Sequence, residues 1–266
     1  MLYLDNETCT GCNTCVEECP SGCLSLVEDT ASFDGARCNM CGHCMAVCPC
    51  DAIMIDGDGY DCEDVEELSF SKRPSSSQVR TAIMLRRSVR RFTDTDVTEE
   101  ELGFILEAGK YSPTAKNAQD NAFIVVTDPD KKAQMLDDIT QVLLEKGRTL
   151  ESEAPPLAAF FKSKALKYIE QGKDEIFYDA PLVIFVFAPS AEDGAICAST
   201  MGFMAQSLQL GYCFAQLPTD AFKDEAFAAK WKAPEGKKCV LALLIGNAEP
   251  DYFCSVTRKT PPVIRY

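Results

Sequence analysis

The sequence predicts an α+β chain made of two unlike parts, and three observations predict it. Eleven of the fifteen cysteines lie at or before position 62, in a run that repeats itself. Residues 1–71 contain 15 acidic side chains and one basic one, Arg37, while residues 72–266 contain 26 acidic and 25 basic ones. Beyond residue 78, apolar strand-like runs mix with helical periodicity and show no regular βαβ alternation, so an α+β domain with a predominantly antiparallel sheet is expected. The expected boundaries are 1–62, a linker over 63–77, and 78–266.

At 266 residues and 46% hydrophobic content the chain can bury a core, and wholesale disorder is excluded. No apolar run reaches the roughly 18 residues of a membrane span. The stretch Met1–Asp5 has no basic leader character. The first cysteine stands at position 9, so a cleaved signal would have to remove metal ligands. A cytoplasmic location is therefore expected. The charge balance argues against a nucleic-acid partner, which requires a basic face. The acidic N-terminal part suits either docking to basic patches or plain hydration.

The cysteines carry the clearest chemistry. Cys9, Cys12, Cys15 and Cys19 precede Pro20; Cys38, Cys41, Cys44 and Cys48 precede Pro49. Both runs read C-x2-C-x2-C-x3-C-P, the second offset from the first by 29 residues. Three thiolates at this spacing wrap three corners of a cubane, and the fourth, before proline, reaches the other cluster. The expected sets are Cys9, Cys12, Cys15 with Cys48, and Cys38, Cys41, Cys44 with Cys19. Zinc sites use two cysteine pairs instead of this spacing, and disulfide scaffolds are short and secreted. The run resembles bacterial ferredoxins with two [4Fe–4S] clusters over about residues 3–60. Cys23, Cys50 and Cys62 are extra and read as packing residues or bystanders, with spare ligands or redox thiols as the alternative. His43, the only histidine, reads as loop surface or as a hydrogen-bonding tuner of a cluster. A single histidine excludes a His-based triad elsewhere.

Asp61–Gln78 is acidic and then Ser-rich with a proline, as a linker is. After it, residues 78–87 read as a helix with Val79, Ala82 and Ile83 facing inward. Thr98-Glu99-Glu100-Glu101 opens a second helix as a capping box. Residues 122–128 read as a strand, and Asp128-Pro129 starts a helix running to Gly147. Residues 182–188 and 239–246 read as buried strands, and 196–210 as a central helix. No G-x-G-x-x-G follows a strand, and no Walker A loop is present.

Arg86-Arg87-Ser88-Val89-Arg90-Arg91-Phe92 supplies guanidinium forks and a hydroxyl that suit a phosphate monoester; a basic run is otherwise a solvated face. This run resembles the R-R-S-x-R-x-F opening of the FMN-dependent nitroreductase family. In the same order, Ser112–Gln119 resembles its S-P-S/T-x-x-N-x-Q segment and Asp179–Ile184 its A-P-hydrophobic strand. Leu210–Cys213 looks like its L-G-L-G turn, and Ile245-Gly246 like the end of its last core strand. Arg258-Lys259 looks like its basic tail pair. Two positions depart from the pattern: Asp120-Asn121 where Pro-Trp is usual, and Gln216-Leu217 where Gly-Gly is usual. Residues 150–177 match nothing in it.

The resemblance implies a homodimer with FMN at the subunit interface. Arg86, Arg87, Ser88 and Arg90 would hold phosphate, ribityl and the N1/O2 edge. Pro113, Thr114 and Asn117 would contact the ring from the partner subunit. Backbone near Gln216 and Leu217 would reach N5 or O4, and Arg258 or Lys259 the phosphate. Joined to two clusters, such a site implies electron flow from a donor through [4Fe–4S] centres to FMN and on to a small electron-poor acceptor such as a nitroaromatic. The donor would be ferredoxin-type or NAD(P)H. The alternative is an electron-transfer carrier, or part of a larger complex, with no turnover of its own.

Overall fold

The structure is a computed structural model describing residues 1–66 and 73–266, so residues 67–72 of the expected linker lie outside the described residues. It divides into two units: residues 1–73 with 114–118, and residues 74–113 with 119–266.

In the first unit, β1 (Leu2–Leu4) pairs antiparallel with β4 (Ile53–Ile55), Leu2 opposite Ile55. β2 (Leu24–Val27) and β3 (Thr30–Phe33) form a hairpin closed by Glu28 and Asp29, both at positive φ. Two left-handed residues match the twist that a two-residue hairpin loop needs. Gly11 packs against this turn: a Cβ there would lie 2.1 Å from the Asp29 carbonyl oxygen, so only glycine fits. Two short helices, α1 (Thr14–Glu18) and α2 (His43–Ala46), start 29 residues apart.

The repeat extends to the backbone. Left-handed residues recur at the same offset as Gly11 and Met40, Asn13 and Gly42, and Gly22 and Asp51. The hydrogen bonds swap halves in the same way: Asp5 N–H donates to Ala52 and Asp34 N–H to Cys23, each at 2.8 Å. The core is small, with Leu2, Leu24, Ile53 and Ile55 around Cys15 and Cys44. So few apolar side chains stabilise a fold poorly without a metal or cross-links.

The second unit has a four-stranded antiparallel sheet in the order β5 (Ala122–Val126), β6 (Leu182–Ala188), β8 (Lys238–Gly246), β7 (Gly211–Ala215). Helices cover both faces. Leu182, Ile184 and Val186 face α4 (Glu99–Lys110) and α7 (Ala191–Ser207), packing with Ile105, Met201 and Leu243. Val183, Phe185 and Phe187 face α5 (Pro129–Thr149) and α6 (Pro155–Gln171), packing with Ile139, Leu143 and Phe161. Every residue of β6 is buried for this reason. A strand covered on both faces reads as a continuous apolar run. A short helix, α8 (Glu225–Lys230), precedes β8.

The α+β class and the antiparallel sheet match the expectation, and three local readings change. Helix α3 (Ser76–Leu85) starts inside the predicted linker, where Ser75 and Gln78 form a capping box. It buries none of its residues; Val79 and Ile83, expected to face inward, are exposed. Helix α7 starts at Ala191, five residues before the expected start, capped by Ser190. Residues 150–177, unassigned from sequence, hold the whole of α6, with two prolines in its first turn and Gly172 in left-handed conformation at its end.

Candidate functional site

The eight motif cysteines gather as two sets of four. Cys9, Cys12, Cys15 and Cys48 line one cavity, and Cys19, Cys38, Cys41 and Cys44 line another. All are free thiols. Burial pushes the Cys44 thiol up to about 11, and its neighbours Cys41, Cys19 and Cys38 push the same way. Cys15 is raised by burial and by Cys12, Cys48 and Cys9. Buried thiols that oppose each other's ionisation are an unfavourable arrangement unless a cation is shared among them. The sulfurs also receive backbone N–H groups. Cys23 N–H reaches Cys19 Sγ at 3.3 Å, and Ala52 N–H, its repeat mate, reaches Cys48 Sγ at 3.2 Å. Met40 N–H reaches Cys38 Sγ at 3.3 Å, and Ala31 N–H reaches Cys9 Sγ at 3.4 Å. The donor set, the grouping and the sulfur-directed amides fit two four-thiolate clusters.

Two extra cysteines lie at these cavities. Cys50 lines the first, its Sγ 3.8 Å from Cys48 Sγ. Cys23 lines the second and is buried. His43 is exposed at the start of α2.

In the second unit the arginine run leaves α3 and lies along β7. Ser88 forms a parallel bridge with Tyr212, and Val89 N–H donates to the Tyr212 carbonyl at 3.0 Å. Arg86, Ser88 and Arg90 gather beside Cys213 on that strand. Burial raises the Cys213 thiol, and Arg90, Ser88 and Arg86 act against the rise. Arg90 also lies over the ring of Tyr178, 5.7 Å from its centre. Among the described residues no carboxylate forms a salt bridge with Arg86 or Arg90, whereas the adjacent Arg91 pairs with Glu249 at 2.8 Å. Two guanidiniums and a hydroxyl without an acidic partner suit a phosphate-bearing ligand.

The remaining predicted residues are distributed differently. Arg87 donates to the carbonyls of Met84, Arg86 and Cys254, at 2.8, 2.8 and 2.9 Å, and so anchors the tail. Gln216 and Leu217 follow the end of β7, where Gln216 is exposed and its carbonyl accepts from the Thr219 hydroxyl at 2.7 Å. Arg258 and Lys259 are exposed on a tail without regular structure. Pro113 is exposed. Thr114 and Asn117 group with the cysteine-rich unit, where Asn117 Nδ2 donates to the carbonyls of Asn39 and Met40, both at 3.0 Å.

Sequence reasoning missed Tyr178 and the loop that presents it. Tyr178 and Asp179 both have positive φ, a costly conformation for non-glycine residues. The buried Asp174 holds the loop by accepting from the N–H groups of Ile176, Phe177 and Asp179 at 2.8 to 3.0 Å. The available signal was an aspartate a few residues ahead of a proline-started strand.

Comparison with known proteins adds the following. Residues 83–247 match the model of the nitroreductase family, and residues 1–49 match a 4Fe–4S dicluster domain. A nitroreductase with bound FMN from Bacteroides fragilis superposes with a TM-score of 0.56 at 23% identity, covering 71% of this chain and 99% of that one. A BluB-like flavoprotein from Clostridium difficile 630 gives 0.57 at 20% identity, covering 70% and 99%. At these identities the likeness is one of fold. The N-terminal part is 44% identical over 47 residues to a component of the ion-translocating oxidoreductase complex of Methanosarcina acetivorans, which is 18% of each chain. It is also part of a 102-residue match, 31% identical, to the electron transport protein HydN of Escherichia coli K12, covering 31% of this chain and 53% of that protein. The chain thus spans from about a fifth to about half the length of these two curated relatives.

Proposed function

Because this chain belongs to the nitroreductase family and carries a 4Fe–4S dicluster domain ahead of it, we propose that it is an oxidoreductase that takes electrons from a donor through two clusters to FMN, and on to a small electron-poor acceptor such as a nitroaromatic. Flavin exchanges one or two electrons and each cluster carries one at a time, so the pairing suits a donor and an acceptor that differ in electron number. The observation that carries the reading is the coexistence in one chain of two four-cysteine cavities and an Arg86–Ser88–Arg90 group gathered along the sheet edge.

The chain's own residues do the following. Arg86 and Ser88 would bind the FMN phosphate and ribityl oxygens. Arg90, steadied over Tyr178, would hold positive charge at the flavin's N1/O2 edge, where negative charge gathers on reduction. Arg87 fixes the tail at Cys254. Backbone at Gln216 and Leu217 would meet the N5/O4 edge. No side chain is assigned as a proton donor, and water supplies protons.

The working form is a homodimer with FMN at the interface. Supporting this, α3 leaves Val79 and Ile83 exposed, and the tail exposes Phe253, Val263 and Ile264, apolar side chains that a second copy would cover. Pro113, Thr114, Arg258 and Lys259 are the candidates for contacts completed by the partner. The donor is a ferredoxin-type protein or NAD(P)H. Among the described residues no helix is long and apolar enough to cross a membrane.

Anaerobically purified protein tests the reading. Its absorption spectrum should combine a broad iron–sulfur band with a flavin band, at about eight irons and one FMN per chain. Steady-state reduction of a nitro compound should follow when dithionite or NADPH is supplied. Electron exchange with a partner protein but no acceptor turnover would instead favour the carrier function that the likeness to an electron transport protein suggests.

A further inference from the structure

The peptide group joining Asn39 to Met40 lies in the loop between Cys38 and Cys41, and it is hydrogen-bonded at both ends. Its N–H donates to Cys38 Sγ at 3.3 Å. Its carbonyl accepts from Asn117 Nδ2 at 3.0 Å, and the next carbonyl, that of Met40, accepts from the same nitrogen at 3.0 Å. An amide nitrogen has two hydrogens, so both donors of Asn117 are engaged on this loop. Lys116, Asn117 and Met40 all have positive φ, which is costly for side chains other than glycine and persists only where surrounding bonds hold it.

Hydrogen bonds in series polarise one another. A donor on the Asn39 carbonyl draws density from the peptide and makes the Met40 N–H a stronger donor to sulfur. Amide bonds to cluster sulfurs stabilise the more negative, reduced state, so they raise the reduction potential. The two halves of the repeat differ here. The repeat mate of Met40 is Gly11, but Cys9 receives its N–H from Ala31, and that residue lies in the β2–β3 hairpin.

We propose that Asn117 is a positioning residue that raises the reduction potential of the cluster held by Cys19, Cys38, Cys41 and Cys44, acting through the Asn39–Met40 peptide, and that it leaves the other cluster's potential unchanged. The proposal rests on the iron–sulfur reading above and goes beyond it: it assigns an unequal tuning of two centres that the cysteine repeat alone would make alike.

Redox titration of the anaerobic full-length protein, followed by EPR, tests it on Asn117→Leu and Asn117→Ala. Both variants should keep about eight irons per chain, as the unmodified protein does. One cluster should titrate at a more negative potential and the other where it did before. Unchanged potentials in both variants would overturn the proposal, as would an equal shift of the two clusters. Loss of four irons in both variants would also overturn it, because Asn117 would then hold the loop together and not tune it. Unmodified protein lacking the eight irons would refute the iron–sulfur reading itself, an outcome distinct from all of these.

Discussion

Val89 donates its N–H to the carbonyl of Tyr212 at 3.0 Å, while a Cβ placed on Gly211, the residue before Tyr212, would fall 2.8 Å from the Val89 side chain. The arginine run is therefore seated on β7 by a backbone bond and a close approach that only glycine permits. Gly211→Ala should push the run off the strand. Overpacking of this kind costs about 1–3 kcal/mol. At roughly 2–4 °C per kcal/mol, differential scanning calorimetry should show the melting temperature fall by several degrees. FMN retention should fall with it.

Arg90→Ala leaves that seat intact and removes the charge. A charge-assisted hydrogen bond contributes about 1.5–3 kcal/mol, so FMN affinity should drop by roughly one to two orders of magnitude. Equilibrium dialysis against free FMN measures it. Iron content should be unaffected, because the eight motif cysteines lie in the other unit. Tight FMN in this variant would remove Arg90 from the site.

Cys50 stands 3.8 Å from Cys48 at the same cavity. In Cys48→Ala, Cys50 should take the vacated corner, and EPR should still report a four-iron cluster there. The Cys48→Ala, Cys50→Ala double variant should lose one iron from that site. A single variant that already behaves like the double one would make Cys50 a bystander.

Glu175 accepts from Lys164, Lys173 and Lys167, at 2.6, 2.9 and 3.0 Å, and these bonds hold its carboxyl far down, at about 2. A folded value below the unfolded one means stabilisation that is complete above the ordinary pKa of about 4.5 and is lost as pH falls toward 2. Glu175→Gln should weaken the end of α6 by about 1 kcal/mol at pH 7. Backbone hydrogen exchange in α6 should show the gap between variant and parent closing below pH 4.5.

Much of this architecture was legible in the sequence because strong local signals coincided with the tertiary outcome. The 29-residue offset of the cysteines reappears in helices, left-handed residues and hydrogen bonds. Thr98 and Asp128 cap the helices they were read to cap. The runs at 122–126, 182–188 and 238–246 form strands. The misses have physical causes. In α6, Leu157, Phe160, Leu166 and Ile169 are exposed, so its apolar residues do not trace a single buried stripe. The inward face assigned to α3 came from periodicity, which marks an apolar side without saying what covers it. Leu210–Cys213 resembled a turn; from Gly211 it is β7, a five-residue edge strand whose glycine serves packing against Val89. At the arginine run, residue type pointed to Arg86, Ser88 and Arg90 as a group, and the structure gathers them beside β7. Residue type could not predict that Arg87 would be engaged on backbone carbonyls, because that depends on where the tail passes.

Each cysteine cavity draws three of its motif sulfurs from one half of the duplicated segment and the fourth from the other. The halves are therefore mutually obligate. A polypeptide severed between Glu28 and Asp29 would yield two fragments, each bearing a three-sulfur cradle and the fourth motif thiol of the other cage, and neither able to close a cage alone. Only by reassociating could they regain their metal.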